Sequence, residues 1–165
     1  MALIKLGSND ANTIGNLPAV GSPAPEFVFT TVDMRDVRLS EYRGKNIVLN
    51  IFPSVDTNVC AASVHEFNTL AASVDNTVIF CVSKDLPFAQ KRFCGTESID
   101  KVFLISDFRN RGFGKDYGVE LIDSTLAGLF ARAVVIIDTT GKIKYTELVP
   151  QIKQEPDYDA ALRAL

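Results

Sequence analysis

Cys60 closes the stretch Pro53-Ser54-Val55-Asp56-Thr57-Asn58-Val59-Cys60, between an apolar run and a segment with helical periodicity. That position favours a reactive thiolate. Upstream, Asn46-Ile47-Val48-Leu49-Asn50-Ile51-Phe52 reads as a strand, which Pro53 ends because proline has no N–H to give a central strand. Downstream, Val64, Phe67, Leu70, Ala71 and Val74 recur at the period of one helix face. Asp56 or Thr57 is placed to cap that helix, and Cys60 then falls in its first turn, where unpaired N–H groups and the helix dipole favour an anion. A free thiol with an ordinary pKa is only about 3% ionised at neutral pH, so such a setting matters for nucleophilicity. The competing reading is a buried structural cysteine.

Two other cysteines and one histidine complete the inventory of soft ligands. Cys81 lies in Thr77-Val78-Ile79-Phe80-Cys81-Val82-Ser83, a continuous apolar run of the kind buried on both faces of a sheet, and reads as an inert core residue. Cys94 lies in the helical segment that follows. On its own it reads as a half-buried helix cysteine. His65 follows Cys60 by five positions, about 140° away around a helix, and no Cys-x-x-Cys pair is present, so a zinc site is disfavoured. His65 is expected to be solvent-facing or capped. Gly112, Gly114 and Gly118 lie near Arg109 and Arg111 but do not form a phosphate-binding Gly-x-Gly-x-x-Gly, and that stretch reads as a loop.

The elements that position these residues alternate. Leu3 to Leu6 and Thr13 to Leu17 are expected to form an N-terminal hairpin, a decoration on the domain. Phe27 to Thr31 and Val37 to Leu39 are expected to pair across Asp33-Met34-Arg35, and Ser40 to Gly44 to make a helical turn. After the strand and helix around Cys60 come the strand at Thr77, a helix from about Asp85-Leu86-Pro87 to Gly95, and a strand from Lys101 to Ser106. Leu129 to Asp138 and Lys142 to Val149 form a hairpin around Thr139-Thr140-Gly141, and a helix begins near Pro156. The order predicts an α/β domain spanning 1–165, with a central mixed β-sheet, helices on both faces and an N-terminal β-hairpin (1–17); a thioredoxin-like fold is the specific expectation.

Composition bounds the function. The chain has 165 residues, 47% hydrophobic and 22% charged, the balance of an ordinary globular domain. A net charge of −3 with no basic cluster argues against nucleic acid as a partner. No apolar run approaches the roughly 18 residues of a membrane helix, and three cysteines are too few for a secreted disulfide scaffold, so a cytoplasmic location is expected.

Pro53, Thr57 and Cys60, spaced Pro-x-x-x-Thr-x-x-Cys, resemble the peroxidatic motif of peroxiredoxins. The segment Ser83-Lys84-Asp85-Leu86-Pro87-Phe88-Ala89-Gln90-Lys91-Arg92-Phe93-Cys94 resembles that around the resolving cysteine of bacterial thiol peroxidases, the atypical two-cysteine subgroup. Leu126-Ala127-Gly128-Leu129-Phe130-Ala131-Arg132-Ala133-Val134 and Glu147-Leu148-Val149-Pro150 extend the likeness, which runs from about Leu3 to Leu165. Asn58, Ser124-Thr125 and Gln151 depart from the family pattern and bear on substrate preference more than on reaction type.

The resemblance implies a thiol-dependent peroxidase reducing hydrogen peroxide and alkyl hydroperoxides. Cys60 would be the nucleophile that becomes a sulfenic acid, Cys94 the resolving thiol, and thioredoxin the reductant of their disulfide. Arg132 and Thr57 would polarise the peroxide, Pro53 would shield the sulfenic acid, and backbone N–H groups near Val59 and Cys60 would complete the site. The first turns of both cysteine-bearing helices are expected to open during turnover. No metal, haem or flavin is implied. A homodimer is implied, with Phe88, Phe108 or Phe113 as contacts. Read singly, Arg132 could equally be a surface ion-pair residue, Thr57 only a cap and Pro53 only a strand stop. Two rivals remain: a redox-sensing module signalling through the same disulfide, and a thioredoxin-like reductase. The second is disfavoured by Ser63 in Cys60-Ala61-Ala62-Ser63 and by Arg132 where a thioredoxin places proline.

Overall fold

A computed structural model describes residues 1–165. Its centre is a seven-stranded sheet of spatial order β4-β3-β7-β6-β5-β8-β9. These strands are β3 (Val28–Thr31), β4 (Asp36–Arg38), β5 (Asn46–Ile51), β6 (Thr77–Ser83), β7 (Phe103–Ser106), β8 (Ala133–Ile137) and β9 (Ile143–Leu148). β5, β6 and β7 are mutually parallel, while β3 and β8 add antiparallel on either side and β4 and β9 complete the edges.

Alternation along each strand divides the core in two. Ile47, Leu49 and Ile51 of β5 face one side with Phe29, Phe80 and Val135; Val48 and Phe52 face the other with Ile79, Cys81, Val134 and Ile136. Helix α1 (Asn58–Leu70) joins β5 to β6, and α2 (Pro87–Glu97) joins β6 to β7. The parallel strands advance in one direction, so right-handed crossovers place both helices on the same face. Val64 and Phe67 of α1 and Phe93 of α2 accordingly pack on the second core, joined by Ala161 of α4 (Tyr158–Arg163). The opposite face carries the single turn α3 (Phe113–Asp116), the expected helical turn as a 3-10 turn over Leu39–Tyr42, and residues Tyr117, Val119 and Phe130. Phe113, expected as a surface contact, is a core residue here. α1 stops at Leu70, and Val74 is already extended, because a short 3-10 turn over Ala71–Ser73 closes the helix before its apolar period runs out.

The N-terminal hairpin pairs β1 (Leu3–Leu6) with β2 (Asn9–Asn12), not with Thr13 to Leu17. The chain turns over Gly7-Ser8, with Gly7 at φ 67°, so the tighter two-residue connection wins over the longer polar loop. The hairpin is more than a decoration. Lys5 N donates to Pro150 O at 2.8 Å and Ile152 N donates to Lys5 O at 2.9 Å, while Ile4 and Ala11 pack with Leu121, Ala131 and Ile152.

Just after β7, Asp107 is buried; its Oδ1 accepts from Arg111 N, and its Oδ2 has no partner. Burial pushes its carboxyl up to about 6, against partial relief from the Arg111 N–H and the Lys84 charge. The folded state therefore holds this proton to higher pH than the unfolded chain, and stability is lost as pH rises from about 4 through 6. Asp107→Asn should remove that loss, so that its stability relative to wild type rises as the pH goes from 4 to 8. Urea unfolding of both proteins from pH 4 to 8 checks this; parallel stability curves would contradict it.

Candidate active site

The strand-to-helix junction after β5 carries the site. Thr57 is the N-cap of α1, and its Oγ1 accepts from Cys60 N at 3.3 Å. That settles the choice between Asp56 and Thr57, and it also engages one of the two amides expected to bind an oxyanion. The Thr57 hydroxyl donates in turn to Ser54 O over a long 3.4 Å, a bond readily redirected to a better acceptor. Cys60 is fully buried, its sulfur at 3.4 Å from Nη2 of Arg132.

Arg132, immediately before β8, is only 2% exposed, which rules out a surface ion pair. Its Nε and Nη2 both donate to Ile152 O, at 3.0 and 2.9 Å, and its Nη1 has no partner. None of the salt bridges in the molecule involves it. A buried guanidinium needs an acceptor able to carry charge, and the Cys60 sulfur is the one at hand.

Pro53, Thr57, Asn58, Val59, Leu126, Leu129, Arg132, Ile152 and Lys153 line a cleft of about 390 Å³. Cys60 lies beneath it, in contact with two of its walls. The apolar Val59, Leu126, Leu129 and Ile152 leave room for a carbon substituent beside the polar centre. A second, smaller cleft lined by Tyr42, Arg43, Lys45 and Asp138 lies at the opposite end of β5, away from this chemistry.

Cys94 is not part of this constellation. It is half-buried in the second half of α2, where its carbonyl accepts from Ser98 N and Ile99 N, and it lines a separate cavity with Val32, Phe80 and Ile99. All three cysteines are free thiols. Burial pushes the Cys94 thiol up from its ordinary value. Because Cys94 lies beyond the first turn of α2, opening of that turn alone would not free it.

Sequence reasoning missed several supports. Asn50 Nδ2 donates to Ser63 Oγ at 3.1 Å, and Ser63 Oγ donates to Cys60 O at 2.8 Å, tying the first turn of α1 to the sheet. A polar residue in an otherwise apolar strand was the available signal. Asp85 accepts from Ser54 Oγ, Val55 N and Ser83 Oγ, linking the cleft wall to the loop before α2. His65 is exposed and pairs with Glu97 at 2.9 Å, joining α1 to α2.

Cys81 sits as expected in the core, and burial pushes its thiol up to about 12 despite the Asn50 contact at 3.6 Å. Iodoacetamide at pH 8 should therefore leave Cys81 unmodified in the folded protein and alkylate it only after unfolding, as read by peptide mass spectrometry. Native labelling of Cys81 at the rate of Cys94 would contradict this placement.

Comparison with known proteins places this site in a family. The Redoxin family model matches residues 19–162. A thiol peroxidase of Mycobacterium tuberculosis is 57% identical over 165 residues, covering 100% of this chain and 99% of that protein. A thiol peroxidase of Corynebacterium glutamicum is 50% identical with the same coverage. Among solved structures, a peroxiredoxin-like protein from Aquifex aeolicus superposes with a TM-score of 0.93 at 39% identity, over 99% of this chain and 95% of that one. A thiol peroxidase from Chromobacterium violaceum shares the fold, with a TM-score of 0.91 at 21% identity over 99% and 95% of the two chains. The thioredoxin-like architecture, the full-length relatives and the family match agree: the chain belongs to the Redoxin family and is a thiol-dependent peroxidase of the peroxiredoxin type.

Proposed function

We propose that Cys60 is the peroxidatic thiol, that Arg132, Thr57 and Pro53 build its peroxide site, and that Cys94 resolves the product. The observation that carries this reading is the division of labour on one buried guanidinium: Nη2 bonds the Cys60 sulfur while the adjacent Nη1 is left without a protein partner. A peroxide oxygen placed beside the sulfur is the acceptor that such a fork of donors fits. The Cys60 thiolate attacks that oxygen, an S–O bond forms as the O–O bond breaks, and the departing alkoxide or hydroxide takes a proton from water. Donors aimed at the developing negative charge lower the barrier more than ionisation alone, which gains at most about 30-fold at neutral pH. Pro53 is buried against the cleft and supports a role in limiting water access to the sulfenic acid.

Resolution requires Cys94 to condense with the sulfenic acid, releasing water and forming a disulfide. Bridged cysteines need Cα atoms within about 7 Å; Cys94 lines a different cavity from the cleft beside Cys60, so the reading has the first turn of α1 and the Cys94 end of α2 open together. A thioredoxin dithiol then returns both cysteines to thiols. The supply of such a reductant fits a cytoplasmic location. Hydrogen peroxide and alkyl hydroperoxides both suit a cleft with a polar centre and apolar walls. The single domain is proposed to work as a homodimer, with Phe88, 67% exposed at the start of α2, as a contact; sedimentation of the reduced protein as a monomer would remove that element.

Steady-state turnover with thioredoxin, thioredoxin reductase and hydroperoxides tests the assignment. Cys60→Ser should abolish turnover. Cys94→Ser should consume about one equivalent of peroxide and stop with a trapped sulfenic acid. Activity retained without Cys60 would sink the reading, and sustained thioredoxin-dependent cycling without Cys94 would remove its resolving role and leave a one-cysteine enzyme.

A further inference from the structure

We infer that Asp85 is a positioning residue, fixing the loop after Pro53 over Cys60 with one set of bonds and anchoring the start of α2 with another. The inference rests on the peroxidatic role of Cys60. Asp85 stands between β6 and α2, and no salt bridge in the molecule engages it. Its charge is instead satisfied by three convergent donors. Oδ1 accepts from Ser54 Oγ at 2.7 Å; Oδ2 accepts from Val55 N at 2.9 Å and from Ser83 Oγ at 2.6 Å. Hydrogen bonds to an ionised acceptor are roughly twice as strong as neutral ones. Two of the three go to the residues directly after Pro53, of which Ser54 lines the cleft.

The third bond leads to the resolving helix. Ser83 Oγ spends its one hydrogen on Asp85, and accepts from Gln90 Nε2 at 3.2 Å. Gln90 Nε2 also donates to Ile105 O at 2.9 Å, and Ser106 Oγ donates to Asp85 O. Gln90 is fully buried in α2, one turn before Cys94. The helix is thus pinned as far as Gln90. Beyond it, Cys94 is half-buried, and the helix ends at Ser98 in a left-handed conformation that a non-glycine residue adopts at some cost. Beyond Gln90 the helix is held by the exposed pairs of Glu97 with His65 and Arg92 with Asp56 and by packing of Phe93 and Cys94.

Rapid-mixing measurements that separate Cys60 oxidation by peroxide from disulfide formation test this, with thermal unfolding run in parallel. Asp85→Ala should slow oxidation about tenfold or more, the penalty of a misplaced site, while Asp85→Asn keeps an acceptor for Val55 N and should stay within about threefold of wild type. Ser54→Ala, a milder change should Asp85→Ala not fold, should slow oxidation severalfold and leave disulfide formation unchanged. Gln90→Leu, which removes a donor to Ser83 but none to Asp85, should slow oxidation less than Asp85→Ala does. Oxidation at the wild-type rate in both Asp85→Ala and Ser54→Ala would overturn the proposal, as would Gln90→Leu slowing oxidation as much as Asp85→Ala. Failure of the underlying reading would look different, because wild-type Cys60 would then not be oxidised by peroxide at all.

Discussion

Arg132 is a permanent cation held almost wholly out of water, with a main-chain carbonyl and a cysteine sulfur as its partners. Removing a charged group from water costs several kcal/mol even after relaxation, so the surroundings must hold those acceptors rigidly. Much of the fold serves that demand. Ile152 offers its carbonyl from a segment that is paired to Lys5 of the N-terminal hairpin, and Val149 N reaches back to Arg132 O at 3.0 Å. The sulfur is placed from the other side by the Thr57 cap and by the Asn50–Ser63 relay to the Cys60 carbonyl. A hairpin far along the chain from either residue therefore helps to hold the acceptor of Arg132 in place.

A rigid centre conflicts with a two-cysteine cycle. Cys94 lines a different cavity from the cleft beside Cys60, so the proposed disulfide requires the packing around one or both cysteines to give way. The two halves of α2 are held differently. Its first half is tied through Gln90, Ser83 and Asp85 to the cleft wall, and its second half is held chiefly by packing of Phe93 and Cys94 and by surface pairs such as His65 with Glu97. Exposed ion pairs of that kind contribute little, so the second half is the more lightly held.

What could be read from the sequence follows from how local each feature is. The strands of the sheet follow from apolar runs and alternation, and Thr57, Pro53 and Cys60 lie within one short segment whose cap and strand stop are local chemistry. Arg132 entered through a family resemblance, since nothing nearby in sequence says that it is buried. The carbonyl of Ile152 could not be found at all, because main-chain acceptors leave no trace in residue type. Asp85 was hidden differently: its partners Ser54 and Val55 lie in a loop that only the parallel pairing of β5 with β6 brings alongside. The second strand of the N-terminal hairpin was misplaced because polar Asn9-Asp10-Ala11-Asn12 reads as a turn, whereas its pairing with β1 and the burial of Ala11 make it a strand.

The buried guanidinium is tested most directly by the second-order rate constant for oxidation of reduced Cys60 by hydrogen peroxide, compared between wild type and Arg132→Gln in folded protein. Loss of one preorganised donor to a developing anion costs about a hundredfold or more, and a reduction of that size is the expected result. Oxidation of Arg132→Gln at the wild-type rate would contradict the central place given to this residue.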